Sequence, residues 1–296
     1  MPEAMPAGSR TSFVIASRNR SEELAAVLRL LLDTTQSPII LVDNASRDDS
    51  VAVANHIAAG SGRRLTVIEL PDNLGAVGRN VGVAHCSTPY VAFCDDDSWW
   101  EPDAPAIAEE VFDAHPSVAV LAGRTLVWPD MREDPIVAEL ADSPLGRDPA
   151  LPGPSILGFQ ACSAMVRKSA FQAVGGFSPI LHFRGEEQLL AVDLATIGWD
   201  LCFCDRLTAY HRPSALRAPS SAEQARVLRN TVLTAWLRRP LRRCVQSSAD
   251  FAWAAARDRA HAAALAEALR AVPAVISARH RLPAPVERAV RTLETS

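Results

Sequence analysis

Within its first hundred residues the chain alternates strand-like and helix-like patterns four times, and no other feature narrows the possible folds as much. Residues 11–17, 38–42, 65–69 and 89–94 are short runs of apolar, β-branched and aromatic residues, the composition of buried strands. After the first, Ser21 can cap a helix with Glu22 and Glu23 in its first turn, and Leu24, Val27, Leu28 and Leu31 share one face. Ser46 followed by Asp49 predicts a capping-box-like start for a second helix to about Ile57. The loop from Asn73 to Gly82 leads into a third, short helix. Alternation of this kind builds a mainly parallel central sheet with crossover helices on its faces.

The fourth run ends in Asp95-Asp96-Asp97. Burying three like charges is costly, so they are expected at the strand's carboxyl end, where a cation can offset their repulsion. Open α/β sheets bind ligands at that edge. Hard oxygen donors of this type suit Mg²⁺ or Mn²⁺, and Mg²⁺ is commonly held by one or two carboxylates plus substrate phosphates. Read alone, the triplet fits a solvated acidic turn equally well.

The rest of the chain extends the pattern. A helix is expected over roughly 103–114, strands at 118–121 and 125–128, and renewed order at 158–166 with a short helix to Val174. Another helix opens at Gly185, with Leu190, Leu194 and Ile197 on one face. Late strands follow at 201–204 and 207–210. Between Pro129 and Pro154 there are six prolines and little periodicity, which predicts a functional loop or a mobile lid. A length of 296 residues and 48% hydrophobic content fit one large α/β domain with an appendage. We divide it into a disordered leader (1–10), a main domain (11–218, with halves 11–100 and 101–218) and a helical C-terminal region (219–296). That last region carries 13 Arg and Lys against 6 acids, whereas the preceding residues carry 17 against 28. Such basic amphipathic helices suit packing on the acidic body, a homodimer contact, or peripheral contact with an anionic membrane. No nucleic-acid motif accompanies the charge. Six cysteines without a CxxC pair, no leader-like N-terminus and no long apolar run predict a cytoplasmic protein, at most peripheral at the inner face of the membrane.

In order and spacing, several pieces together resemble one family. These are Val14-Ile15-Ala16-Ser17-Arg18-Asn19-Arg20, Val42-Asp43-Asn44-Ala45-Ser46, Asn73-Leu74-Gly75 with Gly78-Arg79-Asn80, Asp95-Asp96-Asp97, Gly175-Gly176-Phe177, Glu186-Glu187 and His211. Over roughly residues 11–215 they look like family 2 glycosyltransferases of the GT-A fold. The likeness specifies fold and reaction class, not substrate.

The resemblance implies a role for each matched position. Asp43 would accept a hydrogen bond from the nucleotide base, a carboxylate suiting the N–H of uracil or thymine; the plainer alternative is an Asx-turn before the next helix. Ser17 and Arg18 would border the base, with Arg18 in place of the frequent aromatic residue and able to stack as a guanidinium plane. Asn73 and Arg79, beside glycines that allow close backbone approach, would reach base or diphosphate. Asp97 would bind the metal (Mg²⁺ or Mn²⁺) with His211; Asp95 would reach the ribose and join the metal shell, and the less defined Asp96 would serve donor binding. Glu187 matches the base that takes the acceptor's proton, with Glu186 as substitute, although the family pattern here is Glu-Asp. Both glutamates also simply favour a helix N-terminus. Trp99, Trp100 and His182 are candidate acceptor-pocket residues, although for at least one of the two tryptophans a place in the core is the better reading.

The implied activity is inverting, metal-dependent transfer of a sugar from a UDP- or dTDP-linked donor to a hydroxyl on a small molecule, glycan or lipid-linked acceptor. A non-catalytic nucleotide-sugar-binding protein on the same fold is the main alternative. A sugar-nucleotide nucleotidyltransferase would need a glycine-rich loop after the first strand, where the chain has Ser17-Arg18-Asn19-Arg20. A dinucleotide oxidoreductase would need G-x-G-x-x-G, which Gly75, Gly78 and Gly82 do not form.

Overall fold

The computed structural model describes residues 8–213 and 220–295. Strands β1 (Thr11–Ser17), β2 (Ile39–Asp43), β3 (Leu65–Glu69) and β4 (Tyr90–Cys94) run parallel in the order β3-β2-β1-β4. They are joined by α1 (Ser21–Thr34), α2 (Ser50–Gly60) and α3 (Val77–His85). β1 is buried on both faces, as a covered parallel strand must be. Phe13 and Ile15 meet Leu24, Leu28 and Leu31 of α1, whereas Val14 packs with Val83 of α3.

The second half comprises β5 (Ser98–Trp100), α4 (Ala104–Ala114), β6 (Val118–Val127), β7 (Arg132–Glu133), α5 (Pro135–Ala141), β8 (Ala164–Arg167), α6 (Lys168–Ala173), α7 (Glu186–Thr196) and β9 (Asp200–His211). The sheet continues β4-β8-β6-β9-β5, with β7 beside β6. β8 is antiparallel to both neighbours, and β5 and β7 are antiparallel additions. The expected mainly parallel sheet is therefore parallel in its first half and mixed in its second. A strand antiparallel to both β4 and β6 leaves those two pointing the same way, and β9 is parallel to β6. The carboxyl ends of β1, β2, β4, β6 and β9 thus share one edge.

Several expected boundaries shift for local reasons. The second helix begins at Ser50, not Ser46. The Ser46 hydroxyl instead accepts from Asn19 N, and Ser46 N donates to Asp43 Oδ2. The two pairs of short strands fuse into β6 and β9, because the turn-like residues between them are absorbed in an irregularity where Ala122/Phe203 gives way to Arg124/Thr208. Order at 158–166 is a single helical turn over Ala161–Ser163 before β8. The proline-rich segment is not a bare loop. Pro135 starts α5, Asp134 caps it through Ile136 N, and Val137 and Leu140 are buried in the core. Of the expected leader, residues 1–7 lie outside the described residues, while Ser9 and Arg10 are bonded to Glu109 and Asp113 of α4.

The boundary expected at 218/219 also lies outside the described residues. Beyond it come α8 (Ser221–Arg238), α9 (Leu241–Ala255), α10 (Arg259–Arg270), α11 (Val272–Ala278) and α12 (Ala284–Thr295). A capping box between Ser220 and Glu223 opens α8. Val232, Leu233, Leu237 and Phe251 share a core with Leu181, Leu189 and Val192 of the main body. Two of the region's thirteen Arg and Lys residues, Arg238 and Arg239, are buried and paired inside. Buried Arg238 grips both carboxylate oxygens of Asp193 on α7, and Arg239 pairs with Glu287 and Glu294 of α12. No helix among the described residues is long and apolar enough to cross a membrane.

The Arg238–Asp193 pair makes the docking of α8 testable. Asp193→Leu alone strands a buried guanidinium and is expected to lower stability in urea unfolding by about 3 kcal/mol, and adding Arg238→Met should recover most of the loss. A single variant as stable as the parent would show that the pair carries no weight.

Candidate active site

The acidic triplet leaves β4 at the shared edge, and each carboxylate meets a positively charged partner, Arg20 being shared by two of them. Asp95 pairs with the buried Arg79 of α3. Asp96 Oδ2 accepts from Ser17 Oγ at 2.7 Å, and its Oδ1 lies 3.4 Å from Arg20 Nε. Asp97 Oδ2 accepts from Arg20 Nη2 at 3.0 Å, and its Oδ1 lies 3.5 Å from His211 Nε2. With the Asp96 and Asp97 side chains only 15% exposed, the solvated-turn reading fails. Burial pushes the Asp96 carboxyl up to about 6, despite its bond to Ser17. His211 is raised by its contact with Asp97.

Strand register explains why these groups meet. Ser17 is opposite Asp43 across β1 and β2, and Ser98 is opposite His211 across β5 and β9. Asp43 forms the Asx-turn, its Oδ2 accepting from Ser46 N at 2.8 Å. Its Oδ1 is buried with no hydrogen-bond partner among the described residues. One oxygen shapes the chain, and the other has unused capacity to accept a hydrogen bond.

No group of three or more His, Cys, Asp or Glu among the described residues forms a ready-made cation site. Asp97 Oδ1 and His211 Nε2 are nonetheless close enough to serve as two ligands of one ion. Carboxylate and imidazole with phosphate oxygens and water suit Mn²⁺ or Mg²⁺. Asp95, expected at the ribose and the metal, is turned to Arg79 instead.

Beside these groups lies a cavity of about 230 Å³ lined by Ser17, Arg18, Asn73, Arg79, His182 and Arg226, among others. Gly75 has φ +59°, and a Cβ there would lie 2.3 Å from His182 O, to which Ala76 N donates at 2.7 Å. Only glycine permits this approach. His182 therefore lines this cavity with Ser17, Arg18, Asn73 and Arg79, the expected donor residues, and burial with nearby Arg226 and Arg229 lowers its pKa. Trp100 is also reassigned. It is 2% exposed, and its indole N–H donates to Phe93 O at 2.9 Å, which makes it core. Trp99 stacks on Tyr210 with Arg212 over its face, and lines a small pocket with Asp96 and Asp97.

The Gly175-Gly176-Phe177 segment acts as a clamp. Asn80 accepts from Phe177 N and donates to Phe177 O, which fixes α3, carrying Arg79, against the approach to α7. α7 then opens with Glu186 and Glu187. Glu186 is buried, its Oε2 lacks a hydrogen-bond partner among the described residues, and burial with the charge of Glu187 pushes its pKa up to about 7. Burial raises Glu187 too, opposed by its backbone hydrogen bonds and the positive charge of Arg79. Glu187 also lines a second cavity.

Sequence reading missed Arg20, which bridges Asp96 and Asp97 although it stands in the quoted Arg18-Asn19-Arg20 turn. It also missed Arg226, which had been read only as part of the basic tail.

Residues 12–175 match the sequence signature of glycosyl transferase family 2. The chain is 29% identical over 192 residues to the pre-mycofactocin glycosyltransferase of Mycobacterium tuberculosis, which covers 61% of this chain and 38% of that protein. It is 31% identical over 91 residues to the succinoglycan biosynthesis protein ExoU of Rhizobium meliloti, covering 30% of this chain and 26% of that one. The matched region is thus well under half the length of either curated relative. Among solved structures, a mannosyltransferase from Pyrobaculum calidifontis in complex with GDP-Man and Mn²⁺ superposes with a TM-score of 0.60 over 98% of this chain and 87% of that one, at 16% identity. S. aureus TarS 1-349 gives 0.57 over 76% and 64%, at 17% identity. These likenesses establish a shared fold.

The buried glutamate gives a pH signature. Glu186 has an ordinary pKa of 4.5 and is raised to about 7 in the fold, so the native state binds its proton more tightly than the unfolded chain. Stability from this group is therefore lost as pH rises between those values. Glu186→Gln is expected to exceed the parent by up to about 3 kcal/mol above roughly pH 7 and to lose that advantage by about pH 4.5. Parallel stability–pH curves in thermal unfolding would contradict the burial argument.

Proposed function

Because the chain belongs to glycosyl transferase family 2, we propose that it is an inverting, metal-dependent transferase moving a sugar from a UDP- or dTDP-linked donor to an alcohol. Membership of the family supports transfer over the binding-protein and nucleotidyltransferase readings, and the GT-A fold is in keeping with it. The observation that carries the finer reading is the convergence of three sets of groups at one sheet edge. These are the Asp97–His211 pair, the arginine-lined cavity, and the glutamate pair that opens α7.

In this reading Asp43 Oδ1 accepts the N–H of uracil or thymine, and Arg18 and Arg226 face the diphosphate charge. Asp97 and His211 would hold the divalent cation, which when bound offsets charge on the departing diphosphate. Arg79, fixed by Asp95 and by the Asn80 clamp, orients the donor. Glu187 takes the proton of the acceptor hydroxyl as its oxygen bonds to the anomeric carbon. The bond from that carbon to the diphosphate breaks, its electron pair leaves with the nucleoside diphosphate, and configuration inverts. A base pKa raised toward neutrality by burial suits this proton transfer. Glu186, partly protonated near neutral pH, adds less like charge than a second full carboxylate. A cytoplasmic location fits six buried cysteines, none of them bridged.

The test is thermal stabilisation by UDP-, dTDP- and GDP-sugars with Mn²⁺, followed by transfer assays. UDP- or dTDP-sugars are expected to stabilise the parent in a Mn²⁺-dependent way, and Asp97→Ala should lose that dependence. Glu187→Gln should keep donor stabilisation while transfer falls by roughly two to four orders of magnitude. Stabilisation of Asp97→Ala equal to that of the parent would overturn the metal assignment, and undiminished transfer by Glu187→Gln would overturn the base.

A further inference from the structure

The second cavity beside Glu187 has a volume of about 720 Å³, roughly three times that of the donor cavity. This is within the usual range of small-molecule sites. Its walls come from α5, the segment 156–159 and the last helix, α12. Ile136, Leu140, Ile156, Leu157, Phe159 and Leu293 give it an apolar body. The charged side chains among its described lining residues are Glu139, Asp142 and Glu187, with no Arg, Lys or His. The donor cavity is the electrostatic opposite, lined by Arg18, Arg79 and Arg226.

From this contrast we infer that the cavity receives the acceptor, and that the acceptor is a neutral or cationic alcohol with an apolar ring or chain. The inference rests on the reading of Glu187 as the base. A phosphate-bearing acceptor would set its charge against three carboxylates with no compensating cation among the described lining residues, a juxtaposition that interfaces use to reject wrong partners. An apolar ring or chain gains contact with the six apolar side chains, while its hydroxyl lies within the compartment that Glu187 lines. Leu293 gives the C-terminal helices a part in acceptor choice.

The probe pair is naphthylethanol and naphthyl phosphate, titrated by fluorescence against the full chain with UDP and Mn²⁺. Naphthylethanol is expected to bind roughly tenfold or more tightly than the phosphate. Gly158 lines the cavity, and a Cβ built there meets no atom within 4 Å, so Gly158→Phe places a ring in open space. That variant should lose naphthylethanol binding and retain stabilisation by UDP. The double change Glu139→Lys with Asp142→Lys should shift preference toward the phosphate. Equal or tighter binding of the phosphate by the parent, or unaltered naphthylethanol binding by Gly158→Phe, would overturn the inference. Failure of UDP to stabilise the parent would count against the donor reading instead, and the binding titration, which needs no turnover, would still decide this one.

Discussion

Three adjacent carboxylates at the end of one strand must be neutralised, and much of the arrangement at the functional edge answers that requirement. Arg79 comes from α3, Arg20 from the turn before α1, and His211 from the end of β9. Ser17 adds a hydroxyl from β1. The triplet thereby ties four separate elements to β4. Removing any one cation would leave a partly desolvated carboxylate exposed to its neighbours' repulsion. The same constraint shapes the proposed metal site, because Asp97 keeps one oxygen toward His211 while the other is held by Arg20.

Legibility followed physical cause. β1, β2 and β4 were readable because strands covered on both faces are continuous apolar runs. α1 was readable because its apolar stripe lies on one side. The start of α2 misled because the Ser46 hydroxyl serves Asn19 across space, a contact with no local signature. β6 and β9 looked like four strands because Gly123 and Asp205-Arg206 carry turn chemistry that the sheet absorbs as an irregularity. At the site, Asp43, Asp95–Asp97 and His211 could be placed because each lies at a strand end. Arg20 could not, since its partner Asp97 is 77 positions away. Trp100 took the core place expected of one of the two tryptophans, and which one was not legible because a tryptophan fills a core as readily as it faces a sugar. The second cavity was invisible to sequence because α5, the segment 156–159 and α12 meet only in the folded chain.

The C-terminal helices are more than an appendage. Their inward arginines are consumed by Asp193, Glu287 and Glu294, and their apolar faces share a core with α7. They also contribute Arg226 to one cavity and Leu293 to the other. The basic stretch thus takes part in shaping both compartments, one cationic and one acidic and apolar.

Central to the proposed chemistry is one divalent cation shared by Asp97, His211 and a nucleoside diphosphate. Crystals grown with UDP and Mn²⁺ and measured at the manganese absorption edge test this directly. The expected result is one anomalous peak at about 2–2.4 Å from the Asp97 carboxylate and from His211 Nε2, in contact with the diphosphate. Manganese bound elsewhere, or a diphosphate seated without contact to Asp97 and His211, would contradict it.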